Sequence, residues 1–345
     1  IFIGLGVGPL FFGPLSDSLG RKPMVFVGFG IFILASFICV YAKSLEIMVL
    51  GRILQGFGLS APRTISVAII RDLYAGDYMA KIMSFVIVIF LLVPIIAPAM
   101  GKLILDSFNW EAIFIFQILF CLLIAFWFWK RQEETLDPKN RIDFKIDLFK
   151  KGFLELMHFK KTIAYTLISG LITGSFMVYL STSQQIFQEQ YGLKETFPYI
   201  FAGLATASGG AILLNGLFVV KYGMKKIINI SLIGFFLISV CYAFLFYNSV
   251  NPPLIIILSF FSLQFFCLGF LFGNLRAIAM EPVGHIAGIG AAITGFISTL
   301  MAVPISIVIG KFVRLTVLPI FIGFSICSFI SILILIVLTI KAPRN

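Results

Sequence analysis

The sequence predicts an all-α integral membrane protein built from two bundles of six helices, of which eleven helices are present. Three observations predict this fold. The 345 residues are 60% hydrophobic and only 12% charged, whereas a soluble domain has about 25% charged residues. The apolar residues fall into runs of about 20, long enough to cross a bilayer as helices, rather than the short alternating segments of a membrane barrel. A polar loop recurs in both parts of the chain.

The recurring loop is Gly13–Pro23, and its counterpart is Gly216–Lys226. The aligned pairs are Gly13 with Gly216, Gly20 with Gly223 and Lys22 with Lys225. Two similar halves are typical of membrane transporters, because such halves can rock around a site held between them.

Eleven spans are predicted from the apolar runs. Their approximate boundaries are 1–16, 23–42, 46–71, 79–105, 109–130, 162–188, 196–220, 226–247, 252–276, 284–310 and 316–340. The recurring loop follows the first span of one half but the second span of the other, so we expect one helix to be missing at the front. We therefore number the predicted helices 2 to 12. The expected domains are an N-terminal bundle (1–130, helices 2–6), a cytoplasmic linker (131–161) and a C-terminal bundle (162–345, helices 7–12).

Charge and cysteine content fit this topology. The net charge of +11 comes from 26 basic and 15 acidic residues. The bases concentrate in every second loop, which places those loops, the linker and the C-terminus in the cytoplasm. Membrane topology thus accounts for the positive charge, and nucleic-acid binding is not needed to explain it. The linker predicts a short surface helix with Ile146, Phe149, Phe153 and Leu156 on one side. The five cysteines lie in apolar runs as small packed side chains, and no metal motif is visible in the sequence.

Asp17 is an acid at a membrane surface where bases prevail. We expect its partner to be Arg21, four residues on, or the positive N-terminus of a helix that starts near Pro282. Gly13 and Gly20 are expected to permit a tight turn and close helix approach. A solvated loop is the alternative interpretation.

The pattern Gly13-x-Leu15-x-Asp17-x-x-Gly20-Arg21-Lys22 resembles the helix 2–3 loop motif of the major facilitator superfamily. The resemblance extends over essentially the whole chain and implies the major facilitator fold. In that family the loop aspartate helps to latch the two halves on the cytoplasmic side. The resemblance therefore implies a gating motif, whose residues are Gly13, Asp17, Gly20, Arg21 and Lys22.

Arg52 lies inside an apolar span, where a charge is costly and usually faces the bundle interior. Arg63 follows about three turns later on nearly the same face, and Gln55 is nearby. Snorkelling of Arg52 to the interface, and anchoring of Arg63 at the cytoplasmic end, are the alternatives. Arg52-x-x-Gln55-Gly-x-Gly58 resembles the superfamily's helix 4 motif, whose arginine is linked to proton coupling. Arg52, Gln55 and Arg63 are thus candidates for substrate binding and proton coupling.

Helix 5 resembles the motif of drug:proton antiporters. The residues that carry this resemblance are Pro94, Ala97, Pro98 and Gly101, with Lys102 in place of a second glycine. Two further stretches, Arg71–Tyr74 and Asn274–Pro282, resemble the Bcr/CflA branch, which is associated with bicyclomycin and chloramphenicol resistance. That branch often has an arginine where this chain has Val67, and Arg63 could substitute from one turn earlier.

Polar residues of the second half are candidates to line a substrate cavity. They are Tyr179, Gln184, Asn215, Gln264 and Asn274. Polar side chains also hold membrane helices together, which is the alternative for each of them. The acids near spans lie at span ends rather than in the middle, and they are Asp17, Asp72, Asp77, Glu111 and Glu281. The resemblance therefore implies that the proton-carrying acid lies in helix 1.

The predicted function is efflux of drugs or other small molecules by drug:proton antiport with alternating access. The protein would be a monomeric multi-pass protein of the bacterial inner membrane. It would need no cofactor besides the proton gradient, and its partners would be a small drug or metabolite, protons and the lipid bilayer, without nucleic acid. An uptake permease for a metabolite is the alternative. A receptor or a membrane enzyme is more remote, because the sequence shows no cluster of catalytic groups.

Overall fold

The structure is a computed structural model that describes residues 1–74, 82, 86, 93, 96–141, 146–247 and 251–340. These residues form helices and turns and contain no strand. Ten of the described helices are long and apolar enough to cross a membrane, which confirms the all-α membrane fold class. Of the predicted span 79–105, the structure describes residues 82, 86, 93 and 96–105, and the segment 96–107 is helical.

The helices of the N-terminal part match predicted helices 2, 3, 4 and 6. They are α1 (Phe2–Leu19), α2 (Arg21–Val40), α3 (Leu45–Leu73) and α4 (Glu111–Arg131). Ser44 starts α3 as its N-cap, because its hydroxyl accepts a hydrogen bond from the backbone N–H of Ile47 at 3.4 Å.

The linker carries a short 3₁₀ turn (Pro138–Asn140) and then α5 (Ile146–His158). The short helix expected in the linker is therefore present. Of the apolar face predicted for it, Leu156 is buried and Phe153 is exposed; the side chains of Ile146 and Phe149 lie outside the described part of the structure.

Six spanning helices follow, as predicted. They are α6 (Lys160–Gln184), α7 (Phe197–Tyr222), α8 (Met224–Leu245), α9 (Leu254–Met280), α10 (Ala287–Gly310) and α11 (Leu318–Ile340). α6 continues as a π-helical segment, Gln185–Gln190. Pro282 does not start predicted helix 11 but lies in a 3₁₀ segment, Glu281–Ile286, and α10 begins only at Ala287. A 3₁₀ turn commonly precedes an α-helix in this way.

The described chain divides into two compact units. The first contains residues 1–74, 82, 86, 99–141, 146–153 and 291–296, and the second contains 93, 96–98, 154–247, 251–290 and 297–340. The predicted domain boundaries at 130 and 162 stay a prediction.

The first unit is packed around α2 and α3. Its core includes Phe12, Val25, Phe29, Ala61 and Ile65, all buried. A methyl group on Gly4 or Gly8 would overlap α3, so close packing of α1 on α3 depends on these small residues. The small-residue spacing in α1 therefore serves helix packing.

The second unit has an aromatic core. Tyr242 stacks on Phe321 with ring centroids 3.8 Å apart, and Tyr179 meets Phe265 edge-on at 4.6 Å. Lipid provides no hydrophobic driving force between membrane helices, so the helices associate through close packing. Aromatic rings packed in these specific geometries contribute strongly to such contacts.

Candidate functional site

The turn between α1 and α2 consists of one residue, Gly20, with φ 106° and ψ 154°. The predicted polar loop is therefore mostly helical, because α1 runs through Asp17 and α2 begins at Arg21. The tight turn expected at Gly13 was wrong, because Gly13 lies inside α1. Among the described residues, a methyl group on Gly13 would meet nothing within 4 Å. Gly20 alone makes the turn, in a backbone conformation that other residues rarely adopt.

The guanidinium of Arg21 is the centre of a polar cluster in the first unit. Arg21 is buried, with only 3% of its surface exposed. Nη1 donates to Asp17 Oδ1 at 2.5 Å and to Ser16 Oγ at 2.8 Å. Nε donates to Asp72 Oδ2 at 2.9 Å. The expected pairing of Asp17 with Arg21 is confirmed, and Asp72 is a partner that sequence reasoning missed. A planar guanidinium can serve several acceptors at once, so Arg21 joins α1, α2 and α3.

Glu134, from the linker, occupies the N-terminus of α2. Its carboxylate accepts hydrogen bonds from the backbone N–H groups of Arg21 at 2.9 Å and Lys22 at 3.0 Å. It also accepts from the N–H groups of Thr135 and Leu136, both at 3.0 Å. Partial burial would raise the pKa of Glu134, but the four N–H donors outweigh it and hold the pKa below its usual range. A linker carboxylate thus caps a helix that has no side-chain cap of its own.

In the second unit the recurring loop has a similar backbone conformation but different side chains. Gly223 also has positive φ and extended ψ, 76° and 150°, and it separates α7 from α8 as Gly20 separates α1 from α2. Met224 stands where the first unit has Arg21. A methyl group on Gly223 would meet no atom of the described residues within 4 Å, whereas one on Gly20 would lie 2.6 Å from Glu134 Oε2.

We therefore expect Gly20→Ala to destabilise the protein more than Gly223→Ala. Both changes force alanine into a positive φ with extended ψ, which costs roughly 1–3 kcal/mol, but only Gly20→Ala also displaces the Glu134 carboxylate. Thermal unfolding of both variants in the same detergent checks this expectation. Equal melting temperatures would show that the Glu134 cap contributes nothing.

A second polar cluster surrounds Arg52 in the first unit. Arg52 is half-buried, and its Nη1 donates to Gln55 Oε1 at 3.0 Å. Its guanidinium carbon lies 5.6 Å from the centre of the Phe114 ring, within range of a cation–π contact. Gln55 is fully buried and donates to Ser36 Oγ at 2.7 Å and to Gln117 Oε1 at 3.3 Å. The cation therefore has a fixed neutral acceptor in place of a carboxylate.

The structure does not bring Arg63 into this cluster. Its side chain is exposed, and among the described residues it has neither an ion pair nor a hydrogen bond. Of the helix 5 residues, Pro94 lies outside the described part of the chain. The helical segment 96–107 contains the others, which are Ala97, Pro98 and Gly101.

Four of the five polar candidates of the second unit contact another helix of that unit. Asn215 and Asn274 hydrogen-bond to each other, at 2.6 Å in the shorter direction, and Gln264 donates to Ser239 Oγ at 2.5 Å. Tyr179 packs among aromatic rings with its hydroxyl buried and unpaired among the described residues. These contacts are those of interhelical packing, the alternative that the sequence left open. Gln184 is exposed and donates to Gln188 at 3.1 Å.

The Major Facilitator Superfamily model matches residues 1–305. The chain belongs to the major facilitator superfamily. It is accordingly a multi-pass membrane protein of a transporter family, which is not a class of enzymes. Among the described residues, no group of three His, Cys, Asp or Glu side chains is placed to hold a metal ion.

Similar proteins come from several bacteria. The uncharacterized MFS-type transporter YdgK of Bacillus subtilis is 29% identical over 89% of this chain and 77% of its own. The bicyclomycin resistance protein homolog of Haemophilus influenzae is 31% identical over 66% of this chain and 58% of its own. Multidrug resistance protein MdtL of Citrobacter koseri is 26% identical over 96% of this chain and 83% of its own.

Two crystal structures share the fold. The nucleoside transporter NupG superposes with a TM-score of 0.70 at 15% identity, covering 97% of this chain and 89% of its own. The human organic anion transporter MFSD10 has a TM-score of 0.64, also at 15% identity, covering 98% of this chain and 81% of its own. At this identity the likeness concerns the fold alone.

Proposed function

We propose that this superfamily member is a drug:proton antiporter, which exports small, largely apolar drugs or metabolites by alternating access. Its energy source would be the proton gradient across the bacterial inner membrane, with the linker and the C-terminus in the cytoplasm and the monomer as the working unit. The observation that carries the proposal is the similarity to multidrug resistance protein MdtL over 96% of the chain. The similarity to a bicyclomycin resistance protein homolog supports the same substrate class.

The Arg52 cluster supports the coupling part of the proposal. A cation inside an apolar span is retained only where it serves the transport path or is paired. Here the acceptor of Arg52 is an uncharged amide, so its charge is not neutralised by Gln55. An uncompensated positive charge can attract a substrate dipole or carboxylate and can respond to a proton that enters or leaves a nearby acid.

The Arg21 cluster supports the conformational part. Two carboxylates and a hydroxyl share one buried guanidinium, and a linker carboxylate holds the adjoining helix end. Such a network has discrete arrangements and can stabilise one state of a transport cycle over another. Arg21, Asp17, Asp72 and Glu134 would therefore act on the rate of the cycle rather than on binding of the drug.

The test uses everted membrane vesicles that contain the protein and are energised by respiration. We expect them to accumulate at least one of bicyclomycin, chloramphenicol and ethidium, and to release it when a protonophore is added. Vesicles from cells without the protein are the control. Absence of accumulation for all three probes would contradict the proposal. Uptake of a metabolite such as a nucleoside by right-side-out vesicles would instead support the permease alternative.

A further inference from the structure

A serine–glutamine hydrogen bond is repeated at equivalent helical positions in the two units. Ser36 is the sixteenth residue of α2 and Gln55 the eleventh of α3, while Ser239 is the sixteenth of α8 and Gln264 the eleventh of α9. Both glutamines are fully buried. Each donates from Nε2 to the serine oxygen, at 2.7 Å in the first unit and 2.5 Å in the second. We call these the first and the second Ser–Gln pair.

The serine hydroxyl decides which way each glutamine amide points. Ser36 donates its hydrogen to the carbonyl of Phe32 at 2.7 Å, and Ser239 donates to the carbonyl of Phe235 at 2.7 Å. Phe32 and Phe235 are again equivalent, each being the twelfth residue of its helix. A hydroxyl has one hydrogen, so its oxygen can only accept from the glutamine. The amide must therefore turn its NH₂ group to the serine and its oxygen away.

The two pairs differ in what the amide oxygen meets. In the first unit, Oε1 of Gln55 accepts a hydrogen bond from Arg52. Arg52 is the eighth residue of α3, and the eighth residue of α9 is Phe261. Oε1 of Gln264 is buried and has no hydrogen-bond partner in the described part of the chain. The Ser–Gln pair is therefore common to both units, and the arginine is the element found only in the first.

We propose that Gln55 is a positioning residue for Arg52, with Ser36 fixing the direction of the Gln55 amide, and that the second pair only holds α8 against α9. The functional consequence rests on the proposed role of Arg52 in transport. Gln117 supports the same amide from α4 by accepting from Gln55 Nε2. Because three helices hold the amide, its oxygen presents a fixed acceptor, and this acceptor selects one orientation of a long, flexible arginine side chain.

The test compares Gln55→Leu with Gln264→Leu, the same change at the equivalent position. Each variant loses two interhelical hydrogen bonds, those of Gln55 to Ser36 and Gln117 and those of Gln264 to Ser239 and the carbonyl of Phe235. We therefore expect similar decreases in melting temperature. Phenylglyoxal modification of Arg52, followed by peptide mass spectrometry in nanodiscs, should be at least about threefold faster in Gln55→Leu because the guanidinium has lost its acceptor. The maximal rate of ethidium uptake into everted vesicles should fall at least about tenfold with KM nearly unchanged. Gln264→Leu should leave both quantities close to wild type.

The two readouts separate the positioning role from the proposed function. Equal modification of Arg52 in wild type and Gln55→Leu would overturn the positioning role, whether or not ethidium is transported. Faster modification in a protein that transports no probe would support the positioning role and contradict drug efflux. If both glutamine variants changed alike, Gln55 would have only the packing role of Gln264. Ser36→Ala, which frees the amide to rotate, provides the second variant and should also speed modification of Arg52.

Discussion

Arg52→Ala is expected to lose active efflux and to keep its fold. The change removes a charge from the eighth position of α3, which relieves somewhat less than the roughly 2.5–3.5 kcal/mol that an arginine costs at the centre of a span. It also leaves the buried oxygen of Gln55 without its donor, which costs about 1–3 kcal/mol. These two effects oppose each other and are of similar size, so the melting temperature should change little. Uptake into everted vesicles should fall at least about a hundredfold, equivalent to about 2.7 kcal/mol.

Two further variants define what this loss means. Lys130→Ala removes one positive charge from the exposed end of α4 and should transport normally. Arg52→Lys keeps the charge without the planar fork of donors, and we expect intermediate activity. Wild-type uptake by Arg52→Ala would remove Arg52 from the transport mechanism.

Arg21→Met is expected to have the largest effect on stability. It installs the residue that the second unit has at the equivalent position, Met224, and leaves Asp17 and Asp72 without their shared partner. Removing one partner of a buried ion pair costs about 3–5 kcal/mol. The side chain of Asp17 is 40% exposed, so water compensates in part and we expect about 2–3 kcal/mol. Thermal unfolding in detergent measures this loss.

The same variant should also slow the transport cycle more than it weakens drug binding. Lys22→Met is its matched control, because it removes a positive charge from the same helical turn while the backbone N–H that Glu134 accepts from is retained. Lys22→Met should resemble wild type in melting temperature. If Arg21→Met unfolded at the wild-type temperature, the Arg21 cluster would contribute nothing to the stability of the protein.

The gating loop could be predicted in part from the sequence. Asp17 precedes Arg21 by only four residues, so the contact between them could be expected from the sequence although the Gly20 turn places them on different helices. Asp72 and Glu134 were not, because their contacts depend on how α3 and the linker return to the end of α2. The sequence placed Asp72 at a span end and Glu134 in the linker, but no local rule joins them to Arg21.

The second cluster was predicted in part, because the sequence related Gln55 to Arg52 but not to Ser36. Alignment of the recurring loops already relates Ser36 to Ser239, since both follow their glycine at the same distance. The connection between α8 and α9 is longer than that between α2 and α3, so Gln55 and Gln264 do not align at the same spacing. The two glutamines align only when each is counted from the start of its own helix, and the structure was needed to locate those starts.

Proton-coupled exchange is the central claim, and the pH gradient of energised everted vesicles tests it most directly. A fluorescent acridine dye is quenched by the acidic interior, and addition of a transported drug should partly restore its fluorescence as protons leave in exchange. We expect this recovery with the wild-type protein and its loss with Arg52→Ala. Accumulation of a drug without any recovery of fluorescence would contradict the account.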